Sequence, residues 1–444
     1  MIVFLETLGC SRNQVDSEIM LGKLVAAGHG ITHDPAGAQA IIVNTCGFIS
    51  TASDEAVETI LDMAEYKKAG SCKRLIATGC LAQRYKDDPE LVKSLPEVDA
   101  FLGTAACDRI VAAVEGREST PLTLFPDPNS RGFQNPGETR ALISQGFAYI
   151  KVSEGCNRHC TYCIIPSLRG KQRSRPVEDI CAEATSLVEK GVKEIILTAE
   201  NTTDYGQDLD SGEGFHTVLA QLSESVAKAD PEAWIRFLYT HPRTLDERVI
   251  TTVRDHSNIC AYYDVPIQHA ASSVLRRMGR PYTQEELTNL FKTIRQLDPE
   301  ACLRTTVIVG FPGETQEEFQ TLVDFIQDVA FDHLGVFTYS DSDDLKSHGF
   351  KDHVSPETME KRQDTIMAAQ AKISEKNNER HVGRTYPVLI EENPETGVYI
   401  GRTPFQAPEV DGVTFIYSED LDTGSLVQVR ITDAFEYDIA GEKA

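Results

Sequence analysis

The sequence predicts an α/β protein of three parts: an open parallel sheet, a partial barrel of six βα units and a small all-β barrel. Three observations predict this order. Apolar strand-like runs alternate with helical patterns near the amino terminus, about six further units of that kind follow, and short β-rich runs spaced by turn residues come last. At 444 residues the chain is also too long for one ordinary core, since domains usually hold about 100–200 residues.

We expect the parts to divide as an amino-terminal α/β domain over 1–130, a linker over 131–146, the partial barrel over 147–380 and the small barrel over 381–444. The linker is predicted from its Pro, Gly and polar residues, which are typical of segments between domains. A charged helical pattern from Ser355 to Arg380 separates the two barrels.

The amino-terminal elements are three apolar runs that each end in a small turn with a cysteine. The runs lead to Cys10, Cys46 and Cys80, and helical patterns lie between them, over Asp16 to Ala27 and over Ser53 to Ala69 with Ser53 as the expected cap. Carboxyl ends of parallel strands open on one edge of a sheet, where such folds place their ligands. The spacing therefore favours a shared metal site with one open coordination position, over the alternative of three ordinary buried thiols.

The central elements alternate strictly. The predicted strands are Phe147 to Val152, Glu194 to Thr198, Trp234 to Tyr239, Tyr262 to Pro266, Leu303 to Val309 and Leu334 to Tyr339. Helical patterns separate them, and loops at the carboxyl ends of the strands should carry the chemistry. The last part is predicted to contain the strands Tyr386 to Glu391, Val398 to Gly401, Val413 to Tyr417, Leu426 to Ile431 and Phe435 to Ile439.

Composition favours a cytoplasmic protein. Residues are 41% hydrophobic and 25% charged, no apolar run is long enough for a bilayer, and the first residues indicate a buried strand rather than a secretory signal. We therefore expect no membrane partner, and we expect the eleven cysteines to be free thiols. A formal charge of −25 opposes binding to a phosphate backbone, or merely keeps the protein in solution.

The most specific motif follows the first central strand: Cys156, Cys160 and Cys163 in a CxxxCxxC spacing. Three thiolates on a short loop suit three irons of a 4Fe-4S cluster and leave the fourth iron open. The alternative is zinc, with His159 as the fourth ligand, but its place between two ligands makes tetrahedral coordination awkward.

This motif at this strand end resembles the radical S-adenosylmethionine (radical SAM) superfamily. The resemblance implies that the cofactor's amino and carboxylate groups fill the open iron site, and that one electron then yields a 5′-deoxyadenosyl radical. Tyr162 matches the aromatic position that lies near the adenine, although simple packing is the alternative.

With the cysteine triad at the amino terminus and the small terminal barrel, the chain resembles the methylthiotransferase family over essentially its whole length. The segments Asp264 to His269, Phe337 to Ser340 and Ala407 to Gly412 resemble the branch that modifies an aspartate of ribosomal protein S twelve. The central part then corresponds to a radical SAM partial barrel and the last part to a TRAM-like barrel. Relatives that act on tRNA adenosine are the alternative, and an electron carrier without a substrate is a more distant one.

The resemblance implies two 4Fe-4S clusters, S-adenosyl-L-methionine and an external low-potential electron donor. Cys156, Cys160 and Cys163 would hold the cluster that makes the radical, which removes hydrogen from the β-carbon of the target aspartate. Cys10, Cys46 and Cys80 would hold an auxiliary cluster for the incoming sulfur. Two molecules of S-adenosylmethionine would be used per turnover, one as methyl donor.

Charge supports a protein substrate. From Arg384 to Ala444 four basic residues stand against twelve acidic ones, among them Glu409 and Asp411. Such a domain would repel RNA and attract a basic ribosomal protein. The resemblance implies that the target is a protein of this kind.

Two segments depart from the branch pattern: Glu200-Asn201, where Gln-Asp is usual, and the loop Asp341 to Val354. Five further cysteines are expected to have no role in cluster binding. They are Cys72, Cys107, Cys181, Cys260 and Cys302. The basic run Arg169, Lys171, Arg173 and Arg175 would steer a substrate or lie on a solvated helix entrance, and Val309 to Glu314 is predicted to be a turn near the cofactor.

Overall fold

The computed structural model describes residues 1–88, 90–117, 122–130, 140–210 and 212–444. Residues 131–139, which make up most of the predicted linker, lie outside the described residues. Among the helices of the described segments, none is long and apolar enough to cross a membrane.

The amino-terminal part is a six-stranded parallel sheet with helices. Its strands are β1 Ile2–Thr7, β2 Gly30–Ile31, β3 Ala40–Thr45, β4 Arg74–Gly79, β5 Ala100–Leu102 and β6 Leu122–Leu124. Its helices are α1 Ser11–Ala26, α2 Ser50–Ala69, α3 Cys80–Arg84, α4 Glu90–Ser94 and α5 Ile110–Glu115. The strand order is β2-β1-β3-β4-β5-β6, so the three strands that lead to Cys10, Cys46 and Cys80 are direct neighbours.

Both predicted helix starts are wrong by several residues. α1 begins at Ser11 and not at Asp16, and α2 begins at Ser50 and not after Ser53. Cys10 and Ile49 occupy the cap positions in extended conformation without a side-chain cap, and Ser53 is buried inside the helix. Each helix therefore starts immediately after the turn that follows its strand, where no hydroxyl cap marks the position in the sequence.

The central part contains six main parallel strands in two groups of three. The strands are β7 Phe147–Lys151, β8 Ser153–Glu154, β9 Arg173–Ser174, β10 Glu194–Thr198, β11 Trp234–Phe237, β12 Tyr262–Asp264, β13 Cys302–Val309 and β14 His333–Thr338. The helices are α6 Ile165–Arg169, α7 Val177–Glu189, α8 Phe215–Ala229, α9 Glu247–Asp255, α10 Ser272–Arg277, α11 Gln284–Leu297, α12 Gln316–Val329 and α13 Pro356–Glu379. The groups are β7-β10-β11 and β12-β13-β14, joined by a parallel bridge between Ile235 and Ile259. The predicted six-unit partial barrel is confirmed.

The last part is a closed five-stranded barrel. Its strands are β15 Thr385–Glu395, β16 Val398–Arg402, β17 Thr414–Tyr417, β18 Leu426–Ala434 and β19 Ile439–Lys443, ordered β15-β16-β17-β19-β18. The predicted strand from Phe435 to Ile439 is placed too early, because residues 435–438 form the turn that precedes β19 and only Ile439 belongs to the strand. The Phe435 N–H donates to the Asp438 oxygen at 2.9 Å, and the Phe435 side chain is 51% exposed.

Buried ion pairs fasten this barrel to the central part. Glu194 of β10 pairs with Arg236 of β11 and with Arg402 of β16, each at 2.7 Å. Asp411, expected to face a partner, is instead a buried anchor with no exposed side-chain surface. It accepts from the Tyr262 hydroxyl at 2.6 Å and pairs with Arg304 at 3.2 Å.

Ion pairs hold Arg140, at the described end of the predicted linker, against both neighbouring domains. Arg140 pairs with Glu18 of α1 at 2.6 Å and with Glu183 of α7 at 2.7 Å, and all three side chains are buried. This arginine therefore ties the amino-terminal sheet to the partial barrel.

Candidate functional site

The first cysteine group, the strand-end triad, consists of Cys10, Cys46 and Cys80. Cys10 precedes α1, Cys46 follows β3 and Cys80 opens α3. The turns approach closely: a Cβ placed on Gly9 would lie 2.7 Å from the Cβ of Cys46, and one on Gly47 would lie 2.7 Å from the Cα of Leu81. Gly9 also has a φ of +91°, so glycine is required there both by space and by backbone. The structure thus brings the three predicted cysteines together at one sheet edge.

Electrostatic interactions among the three thiols shift their pKa values. Burial, helped by Cys10 and Cys46, raises the pKa of Cys80 to about 11 against the opposing effect of Arg169. Burial and Cys10 raise the pKa of Cys46. Burial would raise the pKa of Cys10 too, but Arg12 and Arg169 outweigh it and the net pKa is lowered. The group therefore needs nearby positive charge if all three thiolates are to form.

The second group, the loop triad, consists of Cys156, Cys160 and Cys163, between β8 and α6. The Cys163 N–H donates to the Cys160 oxygen at 3.2 Å, which closes a tight turn. Burial, with Glu200 and Cys160, raises the pKa of Cys156 to about 11. Burial, with Cys160 and Cys156, raises that of Cys163 to about 12.

Both triads suit a Cys-ligated iron-sulfur cluster. All six thiols are free, and their mutual proximity would make the thiolates unfavourable without a cation between them. Across the described residues, no three His, Cys, Asp or Glu side chains converge on a single metal ion. A cluster does not require that convergence, because each thiolate binds a different iron.

Tyr162 links the loop triad to the end of β13. Its ring contacts Phe311 edge-on, with centroids 6.4 Å apart, and its hydroxyl accepts from Nε of Arg280 at 3.0 Å. Phe311 belongs to the turn Val309 to Glu314, in which the Phe311 N–H donates to the Glu314 carboxylate at 3.0 Å. The turn therefore lies against the cysteine loop, while Tyr162 combines packing with a polar contact.

Three side chains connect the two triads, and sequence reasoning missed their role. Arg12 lies 3.6 Å from Glu200 and donates to the Ala199 oxygen at 2.8 Å, so the start of α1 meets the end of β10. The Glu200 side chain is 3% exposed and its carboxylate has no hydrogen bond among the described residues. Burial, followed by repulsion from Glu154, raises its pKa. The departure at Glu200 therefore lies between the triads, and its charge affects Cys156.

The third connecting residue is Arg169. Its guanidinium donates to Asp16 at 2.7 Å, to Asn13 at 2.6 Å and to the Sγ of Cys80 at 3.7 Å. The expectation that this basic run steers substrate or is solvated is wrong for Arg169 and for Arg175, which are 3% and 2% exposed. Arg175 is held by Glu183 at 2.6 Å. The local sequence does not reveal whether an arginine is solvated or buried in an ion pair, because the carboxylate partners are distant in the chain.

The remaining cysteines lie apart from both triads. Cys72, Cys107, Cys260 and Cys302 are buried in apolar clusters, as expected of packing thiols, and Cys181 is partly buried on α7. His159 forms no metal-binding group with the loop triad among the residues described.

Comparison with known proteins identifies the three parts. Residues 2–103 match the model of uncharacterized protein family UPF0004, residues 150–326 that of the radical SAM superfamily, and residues 382–443 that of the TRAM domain. Among solved structures, the radical SAM methyltransferase TsrM from Kitasatospora setae covers 84% of this chain and 89% of its own, with a TM-score of 0.58 at 13% identity. The cobalamin-dependent radical enzyme OxsB covers 84% of this chain and 56% of its own, with a TM-score of 0.52 at 12% identity. These structures share the fold alone.

Much closer relatives are found by sequence, and each carries the name ribosomal protein uS12 methylthiotransferase RimO. The protein from Desulfosudis oleivorans is 49% identical over 100% of both chains. That from Clostridioides difficile is 45% identical over 99% of this chain and 98% of its own, and that from Geobacter sulfurreducens is 42% identical over the same shares. Because these relatives match over the whole length and the radical SAM model covers the partial barrel, the chain belongs to the RimO family of radical SAM methylthiotransferases.

Proposed function

We propose that the chain attaches a methylthio group to the β-carbon of an aspartate in ribosomal protein uS12. The observation that carries this proposal is the 49% identity, over the whole of both chains, to a relative named ribosomal protein uS12 methylthiotransferase. The junction of the two triads, where Arg169 of the partial barrel contacts Cys80, fits a reaction that uses both sites. S-adenosylmethionine and 4Fe-4S clusters are the cofactors of this family, and when bound they supply the radical chemistry that removal of hydrogen from an unactivated carbon requires.

The two triads have separate tasks in this proposal. The loop triad holds the cluster to which S-adenosylmethionine binds, and Tyr162 lines that site beside Phe311. The strand-end triad holds an auxiliary cluster for the incoming sulfur. The buried side chains at the junction keep water away and keep the two sites in fixed relation, since Arg169 and Arg140 each bind residues of both domains. An external low-potential donor supplies the electrons.

Function divides along the predicted boundaries. Residues 1–130 would supply the auxiliary site, residues 147–380 the radical site and residues 381–444 the contact with the protein substrate. A ribosomal substrate would place the enzyme in the cytoplasm, where a reducing environment keeps cysteines from forming disulfides.

The terminal barrel suits a basic protein partner. Its exposed acidic residues are Glu392, Glu395, Glu409, Glu419, Asp420, Asp422, Asp433, Glu436 and Glu442. Exposed aromatic side chains accompany them: Phe435 is 51% and Tyr417 is 53% exposed. An acidic surface with aromatic side chains favours a basic protein over RNA, whose phosphates it would repel.

The decisive experiment is anaerobic reconstitution with iron, sulfide, S-adenosylmethionine and a low-potential reductant, followed by mass spectrometry of uS12. We expect one methylthio group on one aspartate. The matched control is the enzyme with the strand-end triad changed to Ala, which should still form 5′-deoxyadenosine and leave uS12 unmodified.

A parallel reaction with tRNA tests the alternative. Reversing Glu419, Asp420 and Asp422 to Lys should weaken binding of uS12, more strongly at low salt because surface charges are screened over about 10 Å at 0.1 M. Methylthiolated adenosine without modified aspartate would assign the enzyme to the tRNA branch and refute the proposed substrate.

A further inference from the structure

Two arginines near the loop triad donate hydrogen bonds to neutral groups and pair with no described carboxylate. Arg280 donates to the Tyr162 hydroxyl at 3.0 Å, and Arg243 donates through Nη1 to the main-chain oxygen of Pro281 at 3.1 Å. Both arginines lie close enough to His241 to lower its pKa, so they flank the same buried ring. We call Arg243 and Arg280 the arginine pair. Within the described part of the chain, neither of them forms an ion pair.

Other arginines around the site are neutralised. Arg158, inside the cysteine loop, is held by both carboxylate oxygens of Asp204 at 2.6 and 2.8 Å. Arg169 pairs with Asp16 at 2.7 Å. No described carboxylate pairs with either member of the arginine pair, although Arg280 also lies near the thiol of Cys160, and a partly desolvated cation is stabilised by an anionic ligand.

A buried histidine adds an unused donor at the same place. His241 is 3% exposed, its ring packs edge-on against Tyr282 at 5.5 Å, and its Nδ1 accepts from the main-chain N–H of Arg243 at 3.2 Å. That hydrogen bond assigns the ring proton to Nε2, which has no partner among the described residues. Burial, followed by Arg280, Arg158 and Arg243, lowers the pKa of His241 to about 2, so the ring stays neutral and keeps Nε2 as a donor.

We propose that the arginine pair and the Nε2–H of His241 bind a carboxylate of a reactant. Guanidinium groups match a carboxylate in charge and geometry, and a neutral N–H donor completes its coordination. The proposal rests on the proposed function, which supplies the carboxylate: the side chain of the target aspartate.

The position of the site suits the reaction. Arg280 is bonded to Tyr162, which stands directly before the last cysteine of the loop triad. In an aspartate the β-carbon is bonded to the carboxylate carbon, so a held carboxylate fixes the carbon that must lose hydrogen. The site runs from the surface inward, because Arg243 is exposed, Arg280 is half-buried and His241 is fully buried.

The test compares Arg243→Gln, Arg280→Gln and Arg280→Lys with Arg276→Gln, a matched control because Arg276 is exposed on α10. Each reconstituted enzyme is assayed for bound iron, for the affinity of S-adenosylmethionine, and for the affinity of uS12 with its target aspartate intact or replaced by asparagine. Formation of 5′-deoxyadenosine without uS12 is measured alongside.

We expect the glutamine variants to lose affinity for the aspartate form by about tenfold or more, the scale of one charged hydrogen bond, with little change for the asparagine form. Arg280→Lys should recover part of the loss. A loss confined to S-adenosylmethionine would assign these residues to the cofactor and refute the proposed aspartate site. If neither affinity differs from that of Arg276→Gln, or if only bound iron falls, the carboxylate site is refuted. Failure of the proposed function is visible separately, as 5′-deoxyadenosine formation by the unaltered enzyme with no modification of uS12.

Discussion

Arg169 of the partial barrel donates a hydrogen bond through Nη2 to the Sγ of Cys80 in the amino-terminal domain, at 3.7 Å. The same guanidinium is fixed by Asp16 and Glu154, so it cannot turn away from the sulfur. Arg169 therefore ties the strand-end triad to the partial barrel, because it binds residues of both domains.

This contact predicts an effect on the redox potential of the auxiliary cluster. Hydrogen bonds and positive charge at a ligating sulfur stabilise the reduced state, which is the more negative one, so Arg169→Gln should lower the potential. We expect a shift of about 60 mV, equal to a tenfold change for a one-electron couple. Redox titration followed by electron paramagnetic resonance measures it, in a background where the loop triad is Ala so that one cluster titrates.

Two matched variants complete that experiment. Arg169→Lys keeps the charge and should shift the potential less, while Lys171→Gln, at an exposed position of the same run, should not shift it. Equal potentials in Arg169→Gln and Lys171→Gln at normal iron content would show that the contact has no electronic role.

The loop triad should be needed residue by residue for radical formation. Replacing Cys156, Cys160 or Cys163 by Ala removes one of three iron bonds, so reductive cleavage of S-adenosylmethionine should be abolished. The measurement is 5′-deoxyadenosine after anaerobic reconstitution, with Cys181→Ala as the control thiol. Parent-rate cleavage by any single loop variant would refute its assignment as a ligand.

The strand-end triad should account for half of the iron. Changing Cys10, Cys46 and Cys80 to Ala should lower bound iron from about eight to about four per chain, as expected for two cubane clusters. Cleavage of S-adenosylmethionine should survive, while methylthiolation is lost. Unchanged iron in this variant would remove the auxiliary cluster from the proposal.

Acid should loosen the terminal barrel through His381. Its ring stacks on Phe405 at 4.0 Å and is 6% exposed, and burial, with Arg380 and Arg384, lowers its pKa to about 3. Between the ordinary value of 6.5 and about 3, the unfolded chain binds a proton that the folded chain does not. Stability should therefore be full above about pH 6.5 and fall as pH decreases, by at most about 1.4 kcal/mol per pH unit from this group.

The variant His381→Gln separates this contribution from that of His241, which also has a lowered pKa. It should be less stable than the parent at pH 7, because the stacked ring is lost, but its stability should fall less steeply with acid. Denaturant unfolding at several pH values measures both. Parallel pH profiles for parent and variant would contradict the prediction.

Asp411 should matter for stability and not for surface charge. Asp411→Asn weakens its buried pair with Arg304, and we expect the free energy of unfolding to fall by about 3 kcal/mol. Glu419→Gln, at an exposed position of the same barrel, should change it by less than about 0.5 kcal/mol. Equal unfolding midpoints for the two variants would refute the anchoring role.

The features that depend on neighbours along the chain could be predicted from the sequence alone. The CxxxCxxC spacing is local, and the three strand-end cysteines follow apolar runs whose parallel pairing brings their ends to one edge. The alternation of strands and helices predicted the partial barrel for the same reason, because each βα unit buries its own apolar face. The roles of the six cysteines as cluster ligands remain predictions.

Which charged residues are buried could be seen only in the folded chain. Arg169 meets Asp16 across 153 positions of sequence, and Arg304 meets Asp411 across 107, so no local pattern distinguishes either pair from solvated charges. Burial of a charge depends on finding its partner in space, since an unpaired buried ion costs several kcal/mol. For that reason the junction between the triads, the anchor of the terminal barrel and the arginine pair became visible only in the folded chain.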